Sequence, residues 1–421
     1  MKRLMLTLAA AAALAGSASA QTDSIPERAI VLSGDASHPG HVANISELYS
    51  RENLAFNDPA APRFLFLDKK GEVALGIGGY LKAAAMYDVD GAIDNNGFIT
   101  NLIPVPFDPS QRNRFGATAA NSKLFLKMVA THTPVGRVIV YIETEFTGDG
   151  GNYGLKLKQA YATVGNFTLG KARSTFADGP AMAPTVDDQG PSGQVTAKNM
   201  LIRYSSPSYG GFSWAVSAEL PSASYTTGDH AKSIAQRFPD IPAYVQYSWA
   251  PGAHVRLSGM LRELSYRDLV TAKNKFKTGW GIQLSAVGKI YGPLGFFGHY
   301  TYGKGIESYI NDLSDTGTDL VLSDTEGRLT APAACGWTAG LEYDFSKKFM
   351  MTASYSRAQL HDTRAMGADE YRYAQYIVAN AFYNPWADLT VGLEYVHGTR
   401  KNADREHGRA NRIQAMIQYS F

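Results

Sequence analysis

Basic residues recur along this chain wherever a strand would gather them on one face. Lys123, Lys127, Arg137, Lys156, Lys158, Lys171, Arg173, Arg203 and Arg256 lie in segments whose alternate positions are largely apolar. Lys82 and Arg262 sit in similar segments. Acids are sparser there, Glu143 and Glu145 being among the clearest, while Asp312, Asp315, Asp319, Asp324 and Glu326 fall between strands. A wall of fixed positive charge makes and breaks no bonds. It concentrates anions and repels cations in the water it borders. The same charges would otherwise only keep a lumen wet and pair with Glu143 and Glu145. Residues 176–198 carry three prolines and three aspartates, Asp178, Asp187 and Asp188. A proline-stiffened loop directly after Arg173 is expected to fold inward as a constriction, facing Lys156, Lys158, Lys171 and Arg173. Its other reading is a surface loop.

Covalent chemistry finds little support. Gly165-Asn166-Phe167-Thr168-Leu169-Gly170-Lys171 matches most of a phosphate-binding loop, but Ala172 stands where Ser or Thr would hold magnesium. The segment lies between two alternating runs, so a hairpin turn is expected. Gly76-Ile77-Gly78-Gly79 is too short for a dinucleotide fingerprint and reads as glycines allowing close packing in a strand. The nine His show no His-Glu-x-x-His or other paired spacing, and no Gly-x-Ser-x-Gly elbow occurs. No catalytic residue, metal site or cofactor is therefore expected, and the chain is not read as an enzyme.

The elements that position these charges are strands. In Arg137–Phe146, Val138, Val140, Ile142, Thr144 and Phe146 alternate with Arg137, Ile139, Tyr141, Glu143 and Glu145. A period of two puts the sets on opposite faces. Tight breakers occur at 133–136, 165–166, 206–208, 250–252, 292–295, 346–347 and 384–385, the last being Asn384-Pro385. Longer polar stretches separate them, near 91–114, 147–152, 176–198, 221–239, 266–277, 305–332, 361–371 and 399–409. Seven short turns on one side and eight long loops on the other would join sixteen strands. That is the pattern of an all-β, transmembrane, antiparallel β-barrel with short periplasmic turns and long extracellular loops. Sixteen strands leave a water-filled bore, where eight would fill with side chains.

The composition agrees. No window after the N-terminus is apolar enough for a spanning helix, yet Tyr (24), Phe (19) and Gly (41) are abundant. The single Cys, Cys335, excludes a disulfide framework. Residues 1–20 read as a secretory signal peptide: Lys2 and Arg3, an apolar run to Leu14, and small residues ending at Ala20. Removing Lys2 and Arg3 takes the net charge from +2 to zero, so nothing points to nucleic acid. Residues 21–62 are polar and Pro-rich, with a short helix expected only within 42–55, and read as a periplasmic or plugging segment before a barrel at 63–421. The chain ends on Phe421 with Tyr419 and Ile417 on the same face, the form of strand that the barrel-assembly machinery recognises.

Gly78-Gly79-Tyr80-Leu81-Lys82, Glu143-Thr144-Glu145-Phe146, Leu155–Tyr161, Gly170-Lys171-Ala172-Arg173-Ser174-Thr175-Phe176 and Thr185–Pro191 resemble the DcaP-like outer-membrane porin family, firmly over 76–205 and generally to the C-terminus. The resemblance implies a homotrimeric sixteen-strand channel in outer-membrane lipid, taking up small anionic solutes such as dicarboxylates. A barrel of another class, plugged and serving a structural or receptor role, is the alternative.

Overall fold

The computed structural model describes residues 29–34, 38–50, 53–59, 61–93, 96–148, 153–323, 327–361 and 366–421. The expected leader at 1–20, residues 21–28, and Asp324 and Glu326 lie outside them.

Sixteen strands make the barrel. They are β1 (Ala74–Asp90), β2 (Arg112–Thr118, resuming as Lys123–Ala130), β3 (Val138–Glu145), β4 (Lys156–Val164), β5 (Phe167–Arg173), β6 (Lys198–Ser205), β7 (Phe212–Glu219) and β8 (Ile241–Ala250). There follow β9 (Ala253–Asp268), β10 (Lys273–Tyr291), β11 (Leu294–Lys304), β12 (Ala333–Ser346), β13 (Phe349–His361), β14 (Tyr371–Trp386), β15 (Leu389–Asn402) and β16 (His407–Ser420). Each pairs antiparallel with the next, and β16 returns to β1 with Asn411 opposite Asp90 and Ser420 opposite Tyr80. Phe421 and Gly79 exchange two main-chain hydrogen bonds of 2.8 and 2.9 Å beyond that register. In hydrocarbon an unpaired amide costs several kcal/mol, so closure is what makes the sheet viable there.

Alternation decides which side chains meet lipid. Along β9, Val255, Leu257 and Leu261 are exposed on the outer face, while His254, Arg256, Ser258 and Arg262 are buried inside. Along β16, Ile413, Ile417 and Tyr419 point out and Arg412, Gln414 and Met416 point in. The apolar outside and polar inside are the reverse of a soluble sheet protein.

The N-terminal residues complete the periplasmic rim. The helix α1 (Pro39–Leu48) starts at His38, whose ring accepts from the Gly40 amide, with Pro39 in the first turn. Its buried positions His41, Asn44, Ile45 and Leu48 form one stripe. That stripe packs on Leu65, Leu67, Ala74, Val129 and Ile139. The helix thus lies earlier than the expected 42–55, because its cap is at His38. Phe64–Leu67 pairs antiparallel with Ala74–Ile77 of β1, and Ile30–Ser33 pairs parallel with Phe64–Phe66. They cover the step in β1 that β16 does not reach. A Cβ on Gly78 would lie 2.8 Å from both the Phe421 oxygen and Pro62 Cα, so the crowded seam needs glycine there.

The interior is filled unevenly. Phe176, Met182 and Val195 of the β5–β6 loop pack with Ile306, Tyr309, Ile310 and Leu313 of the β11–β12 loop, against Leu360, Tyr371 and Ala374 on the wall. Open space is left against β2 to β6.

Three connections differ from the sequence reading. Asn384-Pro385 lies within β14, where pairing with β15 is irregular between Tyr383 and Trp386. The bulge absorbs the proline, and the turn falls at 387–388. The stretches 266–277 and 399–409 are mostly strand, closed by short links at 269–272 and 403–406. The Gly165-Asn166 segment is the β4–β5 turn, with Gly165 at φ +57°.

Candidate functional site in the barrel lumen

Strand register brings the basic residues together. Lys123 of β2 lies opposite Glu145 of β3, and Glu145 opposite Lys156 of β4, so three charges line up across three staves. A bulge in β4 opposite Glu143 and Thr144 leaves Lys158 unpaired. It turns both Lys158 and Gln159 inward: the Lys158 amine meets Glu145 at 2.8 Å and the Gln159 amide donates to Glu143 at 3.1 Å. At the end of β5, Arg173 turns to the lumen, where Lys198 of β6 joins it.

These residues and the β5–β6 loop enclose a chamber of about 320 Å³. Lys123, Lys156, Lys158, Arg173 and Lys198 form its wall, with Asp188, Gln189, Gln194 and Thr196 of the loop opposite. An outer cavity of about 720 Å³, bordered by Ile99 and Gly148 of the long-loop side, shares Lys156, Lys158, Asp188 and Gln189 with it. An inner cavity of about 1160 Å³, bordered by Lys347, Asp388 and Phe421 of the turn side, shares Phe56 and Asp58. The three spaces follow one another along the bore.

Asp58 occupies the centre. It receives Arg173 at 2.6 Å and faces Lys198 at 3.9 Å. Lys198 and Lys123 each reach Glu143 at 3.7 Å. The Lys123 amine also donates to the Asn57 carbonyl at 2.8 Å. Burial alone would raise the Asp58 pKa. Arg173, Lys198 and Lys123 outweigh it and hold the carboxyl well below its usual range.

The β5–β6 loop crosses the lumen and is tied to many staves. Asp178 accepts from His254 at 2.8 Å and Ser285 at 2.5 Å, with Arg256 at 3.5 Å. Burial pushes this carboxyl up, but Arg256 and His254 prevail and hold it at about 2. Pro184 accepts from Asn380, Val186 and Asp187 donate to Glu394, and the Gly193 amide donates to Ser356. Asp187 accepts from the Phe98 amide and the Tyr376 hydroxyl, both at 3.0 Å. Of the three aspartates singled out in the sequence, Asp178 and Asp187 are buried tethers, and Asp188 borders the chamber, 3.4 Å from Lys82.

The other basic residues divide. Lys127 donates to the Glu47 and Leu48 carbonyls at the end of α1, and Arg137 meets the Glu47 carboxylate at 3.1 Å, so both hold the helix. Lys171 is paired with the exposed Met200, on the outer face. Its amine returns to the Leu157 carbonyl at the chamber edge, where β4–β5 pairing stops. Arg203 donates to the Arg173 carbonyl at 3.2 Å. Arg256 stacks 4.2 Å over Tyr244 and donates to the Ala177 carbonyl and Asn53. Lys198 and Asp58 were not legible as site residues. Lys198 follows the loop with no alternation before it, and Asp58 meets Arg173 across 115 residues.

Comparisons with known proteins converge on one architecture. The model of the DcaP outer membrane protein family matches residues 71–325. Among curated proteins, no sequence matches the chain. The outer membrane channel DcaP of Acinetobacter baumannii is 24% identical, with a TM-score of 0.72 over 84% of this chain and 99% of that one. An anion-selective porin from Comamonas acidovorans is 13% identical, with a TM-score of 0.52 over 83% of this chain and 100% of the other. A trimer form of OmpT, an outer membrane protein of Vibrio cholerae, is 12% identical, with a TM-score of 0.52 over 83% and 100%.

Proposed function

Because this chain belongs to the DcaP outer membrane protein family, we propose that it is a bacterial outer-membrane porin through which small hydrophilic anions, dicarboxylates among them, diffuse. The observation that carries this reading is the chamber in mid-lumen, where Lys123, Lys156, Lys158, Arg173 and Lys198 face the space joining the outer and inner cavities. Fixed charge in a narrow, poorly screened passage sets which ions accumulate there. Glu143 and Glu145 offset part of the charge and space the cations.

The same reading takes the chain to be exported by a leader cleaved near Ala20, delivered to the assembly machinery through the strand ending at Phe421, and assembled as a homotrimer in outer-membrane lipid. The trimer form of the similar Vibrio cholerae protein supports that state. A second reading, a plugged barrel without channel activity, draws on residues 53–59, which lie beside the chamber inside the wall.

Planar-bilayer recording tests the choice. The expected result is a conductance whose reversal potential in a salt gradient reports anion preference. Cation preference would mean that loop acids set the field, and no conductance under any condition would favour the plugged barrel.

A further inference from the structure

Residues 53–59 stand where the basic chamber meets the inner cavity. Asp58 receives Arg173 at 2.6 Å, the Asn57 carbonyl accepts from Lys123 and Tyr80, and Asn53 accepts from Arg256 at 3.2 Å. Phe56 meets Phe382 across the bore side of β14, with ring centres 4.8 Å apart. On either side the chain is fixed: α1 is docked before the segment, and Phe64–Leu67 is paired with β1 after it. The segment is a loop between two anchors. It can withdraw without undocking either.

We propose that Asp58 fills a carboxylate-binding subsite made by Arg173, Lys198 and Lys123, and that residues 53–59 are a gate opened when a solute carboxylate displaces it. The inference rests on the anion-channel reading above. A guanidinium with flanking ammonium groups is the donor set an incoming carboxylate needs, and here it already holds one. With Asp58 in place, three cations face two carboxylates, Asp58 and Glu143. When Asp58 leaves, the net positive charge of the cluster doubles, so the empty subsite attracts an anion strongly. Lys156 has no ion-pair partner among the described residues and borders both the outer cavity and the chamber. A dicarboxylate arriving from outside can rest one end on Lys156 while the other competes for Arg173. A monatomic anion has no second end and no planar match to the fork. The resident carboxylate is tethered, so its effective concentration is on the order of millimolar, and solutes must compete at that level. Withdrawal separates Phe56 from the buried Phe382, an apolar cost that keeps the gate closed until a carboxylate competes for Arg173.

The test is single-channel recording of the full chain in potassium chloride, with succinate added as the probe. Wild-type chloride conductance should be low and should rise severalfold with millimolar succinate. Asp58→Asn should raise the chloride conductance severalfold and remove the succinate response. Equal conductance and equal succinate response in the two proteins would overturn the gate while leaving anion selectivity intact. A second variant, Phe56→Cys with Phe382→Cys, covers a failure of the first to fold. Joined by a short cleavable thiol cross-linker, it should stay in the low state with succinate present and open after cleavage. The same succinate response before and after cleavage would overturn the gate. Cation preference in every variant would remove the anion-channel reading, and the gate with it.

Discussion

Arg412 of β16 stands directly opposite Asp88 of β1, and two hydrogen bonds of 2.6 and 3.0 Å join them across the seam that closes the barrel. Both are buried, and the guanidinium also donates to the Ile93 carbonyl and lies 5.4 Å over Phe98. Removing one partner leaves a charge buried without its counterion, at a cost of about 3–5 kcal/mol. Asp88→Ala should lower the temperature at which the folded, faster-migrating band is lost on gels. Asp88→Ala with Arg412→Met should recover most of it. Equal heat resistance in wild type and the single variant would sink this role for the seam pair.

Arg173→Glu should shift the reversal potential toward cations far more than Arg409→Glu. Arg409 is exposed beside Asp90 on β16, whereas Arg173 faces the chamber. A unit charge at 4 Å is worth about 1 kcal/mol in bulk water and about 4 kcal/mol at an effective dielectric of 20. Arg173→Lys should keep the sign of selectivity but raise the succinate concentration needed to increase the chloride conductance, because the planar fork is lost. Similar shifts for the two glutamate variants would place the constriction elsewhere.

Two buried carboxyls should respond to acid in opposite senses. Burial lifts Asp312 from an ordinary value of 3.8 to about 6, although Thr100 and Tyr371 oppose it. Its folded form holds a proton more readily than its unfolded form, so its contribution is fully present below about 3.8 and fades as pH rises through about 6. Asp312 joins the β11–β12 loop to Asn101. Protease nicking of 305–332 should therefore be slower at low pH, with Asp312→Asn flattening the dependence. Asp58 is held low, so docking of 53–59 persists above its ordinary range and fails only as pH falls through the depressed value. A chloride conductance that rises as pH drops toward 5 would contradict that.

Detergent-solubilised protein run unheated should migrate as roughly three chains, the closed ring expected of a cyclic homotrimer. Light scattering that gives a single chain under the same conditions would remove the trimer.

The strands were legible wherever one face meets lipid and the other water, because that contrast prints a period of two. Arg137–Phe146 is such a run, with Tyr141, Glu143 and Glu145 buried and Ile142 exposed. The contrast disappears where strands rise clear of the bilayer. Lys273, Asn274, Lys275 and Lys277 extend β10 with no apolar face and read as loop. At the end of β5, Lys171 and Arg173 share the parity of the outward-facing Met200 yet both border the chamber, Arg173 by turning inward and Lys171 by reaching back to the Leu157 carbonyl. The partners of the lumen charges were illegible for a different reason. Lys127 meets α1, and Arg173 meets Asp58, through contacts that no local pattern encodes. Sequence showed where charge would gather, and only the folded lumen showed which charges are already satisfied.

The loop between β5 and β6 grips β1, β9, β10, β11, β13, β14 and β15 through Lys82, His254, Ser285, His299, Thr352, Asn380 and Glu394. Mechanically it is a tie across a thin-walled tube. A ring of staves joined only edge to edge ovalises easily when squeezed from the side. A ring with an internal tie anchored at so many points around its circumference keeps its cross-section. The size of the bore is then set by the tie rather than by the wall, and changes in bilayer tension that would flatten an unbraced cylinder reach the passage much attenuated.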